Sequence, residues 1–141
     1  MPPNRLKPPQ KPDGVALLNR LFLTQYHMRL LTLFGGSPGW QDPLVLEEAL
    51  ETARAAAERD GRGDPIEVAA IYGLTLARGA FLDANLRLAA VAMAATLRLN
   101  ELSFSPPAQE LLDIMHRLEA NSVSLQALMD WMRPYVKPVD A

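Results

Sequence analysis

Apolar residues recur at helical spacing along most of the chain, and no stretch alternates long enough to make a convincing strand. From Val15 to Phe34, Leu17, Leu18, Leu21, Phe22, Tyr26, Leu30 and Leu33 fall near one face, while Asn19, Arg20 and Gln25 lie off it. This predicts a first helix started by Asp13 or Gly14 and ended by Gly35-Gly36, where a positive φ costs little. Asp42-Pro43 reads as the N-cap and first turn of a second helix, with Leu44, Leu46, Ala49, Leu50 and Ala53 on its apolar face. That helix fades at Glu58 to Gly63, and Gly61-Arg62-Gly63 reads as a turn. Asp64-Pro65-Ile66-Glu67 is a stronger start signal, a cap followed by a capping-box glutamate. The third helix should run from Pro65 to about Arg78, burying Ile66, Ala69, Ala70, Leu74 and Ala77, with Tyr72 and Leu76 flanking.

A short polar break follows, holding Arg78, Gly79, Asp83, Asn85 and Arg87. Beyond it, Leu88 to Leu97 carries no charge, and Thr96 is its one polar side chain. A helix polar on no side is expected to be buried on every side. This run is far shorter than the roughly 20 residues that span a bilayer, so it predicts a buried central helix. Asn100-Glu101 should end it. Leu102 to Phe104 is short enough to be extended; Ser105-Pro106 reads as the cap of a fifth helix through Leu111, Ile114 and Leu118. Ser122 or Ser124 should start a sixth through Leu128 and Met132, stopped by Pro134.

The prediction is therefore all-α: one compact domain of about six helices around a buried central helix. It divides into a proline-rich tail (1–14), a helical domain (15–134) and a short solvated C-terminal tail (135–141). The 141 residues are enough for a real core, and 49% hydrophobic with 21% charged residues is the composition of a folding chain. A net charge of −2 provides no bulk attraction to nucleic acid or acidic membranes. No cysteine means no disulfide or thiolate chemistry. The N-terminal MPPNRLKPPQKP has no apolar run of the kind a secretory signal needs, so a cytoplasmic location is expected.

Few residues suggest chemistry. Gly35-Gly36-Ser37-Pro38-Gly39 formally matches a nucleophile elbow, but a helix precedes it and Pro38 follows the serine, so it reads as a helix connection packed down by Trp40. Two histidines, no cysteine and no H-E-x-x-H argue against a metal enzyme. His27 reads as a surface or satisfied core residue, His116 as exposed, and both lie far along the chain from the polar break. The break has a clearer logic. A helix N-terminus leaves N–H groups unpaired and carries partial positive charge, which suits an anion. Asp83 is placed to cap the central helix. Asn85 and Arg87 lie in its first turn, and Arg78 approaches from the preceding helix. Arg78, Asn85 and Arg87 suit phosphate, and Asp83 beside them suits Mg²⁺. On charge alone, a plain cap and a surface ion pair account for the same residues and are the favoured reading.

Ala77-Arg78-Gly79-Ala80-Phe81-Leu82-Asp83-Ala84-Asn85-Leu86-Arg87 resembles a degenerate Fic/Doc (Fido) motif, closest to the Doc, or death-on-curing, toxins of bacterial and phage toxin–antitoxin systems. Their motif reads His-x-Phe-x-Asp-(Gly/Ala)-Asn-Lys-Arg at the start of a central helix. Gly35 to Gly39, Asp42-Pro43, Leu46 to Leu50, Leu97 to Asn100 and Ser122 to Ser124 are similar to other Doc segments, so the likeness covers residues 15 to 133. The resemblance implies a Doc-like fold, Phe81 as core anchor, Asp83 on the metal side, and Asn85, Arg87 and flanking Arg78 as phosphate contacts for ATP with Mg²⁺.

The departures are informative. The motif histidine, which implies a general base, falls on Gly79, or on Ala80 with one deletion, and neither accepts a proton. The lysine position is Leu86, and Leu88 follows the arginine. Losing a general base typically costs ~10²–10⁴ in rate. The expected function is thus a catalytically impaired Doc-like protein that binds an antitoxin-like or other helical partner and retains an anion or nucleotide pocket. The inhibitory signature of the Fic/Doc family, Ser/Thr-x-x-x-Glu-(Gly/Asn), is absent, so such a helix would come from another protein. The alternative is an active transferase moving phosphate or AMP from ATP to a protein hydroxyl, such as a threonine of elongation factor Tu.

Overall fold

The structure, a computed structural model, describes residues 14–59 and 63–139. The proline-rich tail up to residue 13, with the suggested cap Asp13, and the center of the Gly61-Arg62-Gly63 turn lie outside the described residues. Six α-helices run in chain order: α1 (Arg20–Phe34), α2 (Pro43–Ala57), α3 (Pro65–Leu76), α4 (Asn85–Leu99), α5 (Ala108–Glu119) and α6 (Leu125–Met132). The fold is all-α, with one small addition. Strand β1 (Leu102–Phe104) pairs antiparallel with β2 (Val136–Pro138), Ser103 opposite Lys137. The C-terminal segment expected to be a solvated tail therefore docks as a strand, led in by a 3₁₀ turn at Arg133–Tyr135. Among the described residues no helix is long and apolar enough to cross a membrane.

Local start signals are where the sequence places them for α2, α3 and α6. Asp42 accepts from the Leu44 N–H at 3.1 Å, Asp64 from Ile66 at 2.9 Å, and Ser124 from Ala127 at 3.0 Å. Such caps are typically worth about 1 kcal/mol each. Glu67 does not reach back to close a capping box; it pairs with Arg59. Ser105-Pro106 does not cap α5, whose N-cap position is Pro107 with no side-chain bond.

The first helix begins later than its apolar pattern suggests. Residues 15–19 are not helical because their backbone groups are taken by buried side chains from elsewhere. The Tyr72 hydroxyl donates to the Leu18 carbonyl (3.0 Å) and accepts from the Leu18 N–H (3.1 Å). Asn100 accepts from Ala16 N–H at 2.8 Å and donates to the Ala16 carbonyl at 3.1 Å. Asn19 then caps α1 through Phe22.

The most enclosed helix is α3, not the uncharged α4. Val68, Ala69, Ala70, Tyr72 and Leu76 are fully buried, and α3 packs against α2, α4 and α6. In α4, Leu88, Ala89, Ala92, Met93, Thr96 and Leu97 face the core, while Ala94 is exposed and Ala90, Val91 and Ala95 are half-buried. An alanine face loses little by meeting water, so lack of charge did not require burial. On α2 the register also differs: Leu44 is 73% exposed and Val45 takes the buried place.

Candidate functional site

The polar break is a turn stitched to the glycine-rich connection between α1 and α2. The Ala80 carbonyl accepts from the N–H groups of Gln41 and Asp42, both at 3.0 Å, and the Leu82 N–H donates to Gly39 at 3.1 Å. Between these bonds Trp40 and Phe81 form an isolated β-bridge and stack at 4.5 Å. Phe81 stacks on its other face against His27, at 3.7 Å. His27 is buried, and its Nε2–H donates to the Asp83 carbonyl at 2.8 Å, so it is a satisfied core residue. Trp40 packs the connection onto the core as its position suggested.

Asp83 does not cap α4. The N-cap position is Ala84, in the left-handed region at φ 68°, with no side-chain bond. The Asp83 carboxylate instead accepts from the Ser37 N–H at 2.8 Å. Gly36 makes that approach possible: at φ 123°, a Cβ there would sit 3.2 Å from Asp83 Cβ. Asn85 is likewise turned to its own loop, accepting from the Phe81 N–H at 3.0 Å and donating to the Phe81 carbonyl at 2.8 Å. These positions were legible as polar; their partners, dozens of residues away for Asp83, were not.

Gly79 adopts φ 106° and is buried. An ideal Cβ there would lie 2.6 Å from Gln41 Nε2, and the Gln41 amide donates to the Gly79 carbonyl at 3.2 Å. Ala80 is also fully buried. Both candidate positions for the motif histidine therefore disfavour one, Gly79 through its positive φ and Ala80 through its burial.

The remaining residues do meet. Arg78, Asp83, Asn85 and Arg87 line one open cleft of about 670 Å³, a size typical of ligand sites. The opposite wall is α5, which contributes Leu112, Met115, His116 and Glu119. The sequence offered no link between α5 and the polar break; only the packing does. Arg78 is pulled to the rim, where it pairs with Glu48 at 2.7 Å; that hydrogen bond raises its pKa against the opposing effect of burial. Arg87 lies over the Phe34 ring at 4.4 Å and has no carboxylate partner among the described residues. It is the cation freest to meet an anion.

For Mg²⁺ the fit is narrow. Asp83 has one carboxylate oxygen not engaged by Ser37 and stands without a cluster of further acidic or histidine ligands among the described residues. That suits only an ion held mainly by a ligand's own phosphates, a common arrangement for Mg²⁺.

A scan of the chain against models of known protein families finds no match, and a search of curated proteins finds none either.

Proposed function

We propose that this is a catalytically impaired Doc-like protein that works by binding, with the cleft between the polar loop and α5 as its binding site. The observation that carries the reading is Gly79: the site of the expected base is a buried glycine at φ 106° with Gln41 against it. A proton acceptor is missing there, and the positive φ disfavours any residue that carries a Cβ. The cleft has what a binding site needs. Arg78 and Arg87 stand on one side, and half-exposed Leu82 and Leu112 provide apolar contact. Those leucines fit the apolar face of an amphipathic helix, and Arg87, with no carboxylate partner among the described residues, fits an acidic side chain or a phosphate oxygen.

Two measurements test this. Co-expression with the product of the adjacent reading frame should produce a complex on size exclusion that Leu112→Glu disrupts; no complex with the parent chain counts against partner binding. Calorimetric titration with Mg-ATP, repeated on Arg87→Ala, tests the anion pocket, and absence of heat from the parent ends that part of the proposal.

One observation favours the active alternative. His116 lines the cleft from α5 and is an imidazole within the same space as the arginines. Phosphoryl transfer depends mostly on positioning and charge, so a base from another helix would restore it. Transfer of label from ATP to a threonine of elongation factor Tu would support that reading over the first.

A further inference from the structure

The chain has two histidines, and the fold gives them opposite fates. His27 is buried and its ring is committed to the Asp83 carbonyl and to Phe81. His116, in the last turn of α5, is exposed, and its ring has no hydrogen bond or ion pair among the described residues. Both ring nitrogens are free, and the ring borders the cleft opposite the polar loop.

The charges around that cleft nearly cancel. Arg78 from the end of α3 and Arg87 from α4 face Asp83 from the loop and Glu119 from α5. With Glu48 also holding Arg78, the cleft has no standing excess of positive charge at neutral pH. On its other side His116 borders a groove holding Glu110, Asp113 and Arg117, against Trp131 of α6, which does not titrate. Imidazole is the one side chain here whose charge changes between about pH 5 and 8. Its proton therefore decides whether an anion meets an α5 wall left negative by Glu119 or one whose charge is balanced.

We propose that His116 is a binding residue of this cleft, a third cation that strengthens binding of a phosphate-bearing ligand only when its ring is protonated. This rests on the reading of the cleft as an anion site. The sign follows from linkage. An anion favours the protonated imidazole, so binding moves the His116 midpoint upward; because a terminal phosphate also takes up a proton at about pH 6, the gain is read as the ratio of the parent's affinity to that of His116→Gln at each pH.

The test follows the imidazole C–H resonances by NMR from about pH 5 to about pH 8.5, alone and with saturating Mg-ATP or inorganic pyrophosphate. The His116 signal is assigned by its loss in His116→Gln. The expected result is an upward shift of the His116 midpoint by about half a unit or more, equal to a roughly threefold gain in affinity on protonation. The His116→Gln chain should still bind at about pH 8 and lose that gain at about pH 5.5. A response to pyrophosphate as well as ATP assigns the contact to phosphate itself; a response to ATP alone assigns it to a nucleotide, and both support the proposal. Binding with an unmoved His116 midpoint overturns it and leaves the cleft reading intact. No binding of either probe by any chain overturns both.

Discussion

Introducing a histidine at position 79 should destabilise the protein and fail to create an active site. Gly79 sits at φ 106°, a region that residues with a Cβ rarely occupy. Forcing such a residue there costs on the order of 1–3 kcal/mol. The new Cβ would meet Gln41 Nε2 at 2.6 Å, so the glutamine must swing away and give up its hydrogen bond to the Gly79 carbonyl. That bond is worth about 0.5–1.5 kcal/mol. Together, Gly79→His should lower unfolding free energy by about 2–4 kcal/mol, and Gly79→Ala by nearly as much, because both effects begin at Cβ. Urea unfolding followed by circular dichroism measures this directly. The control is Gln41→Ala, which removes the amide and should lose about 1 kcal/mol. If Gly79→Ala unfolds at the parent's midpoint, the backbone is not held as described, and the physical argument against a base at this position fails.

Other perturbations separate structure from binding. Tyr72→Phe strips both hydrogen bonds from Leu18 and should cost about 1–3 kcal/mol near neutral pH in thermal or urea unfolding. Burial pushes the Tyr72 pKa from 10.0 to about 12, so the folded state favours the neutral phenol. That stability is fully present below pH 10 and is lost as pH rises toward 12; Tyr72→Phe should lose that part of the alkaline dependence, and an unchanged slope contradicts the assignment. Asn85→Ala removes both bonds to Phe81 and should lower stability by about 1–3 kcal/mol, a result urea unfolding reads. A purely phosphate-contacting Asn85 would instead weaken ligand binding at unchanged stability. Leu44→Ser, at an exposed position, should change stability by no more than about 0.5 kcal/mol, whereas Leu46→Ala in the core should cost about 2–5 kcal/mol.

What the sequence made legible is the chemistry that acts within a few residues. The caps at Asp42, Asp64 and Ser124, the Gly35-Gly36 stop and the end of α4 at Asn100 all depend on neighbours in the chain. Legibility failed where a distant partner decides. Ala16 and Leu18 have helical company in sequence, yet Asn100 and Tyr72 hold them out of α1. The Asp83 carboxylate is well placed for a cap and goes instead to Ser37, while Ala84 takes a left-handed conformation. The uncharged run of α4 looks innermost because periodicity counts charge; enclosure follows packing, and α3, packed against α2, α4 and α6, fills the centre. The four polar residues singled out around the break do share one cleft, but the wall that completes it belongs to α5. Residues from two elements far apart in sequence, with no common motif, leave no mark that spacing can detect.

The proposed role is binding without catalysis, because Gly79 and Ala80, the positions where a Doc-like base is expected, accept no proton. Incubation of the purified chain with elongation factor Tu and ATP labelled on the terminal phosphate, beside a second reaction labelled on the α-phosphate, tests it most directly. No label on elongation factor Tu is expected in either reaction, from a chain that still gives heat on titration with Mg-ATP. Label on elongation factor Tu that scales with the amount of parent chain would contradict it.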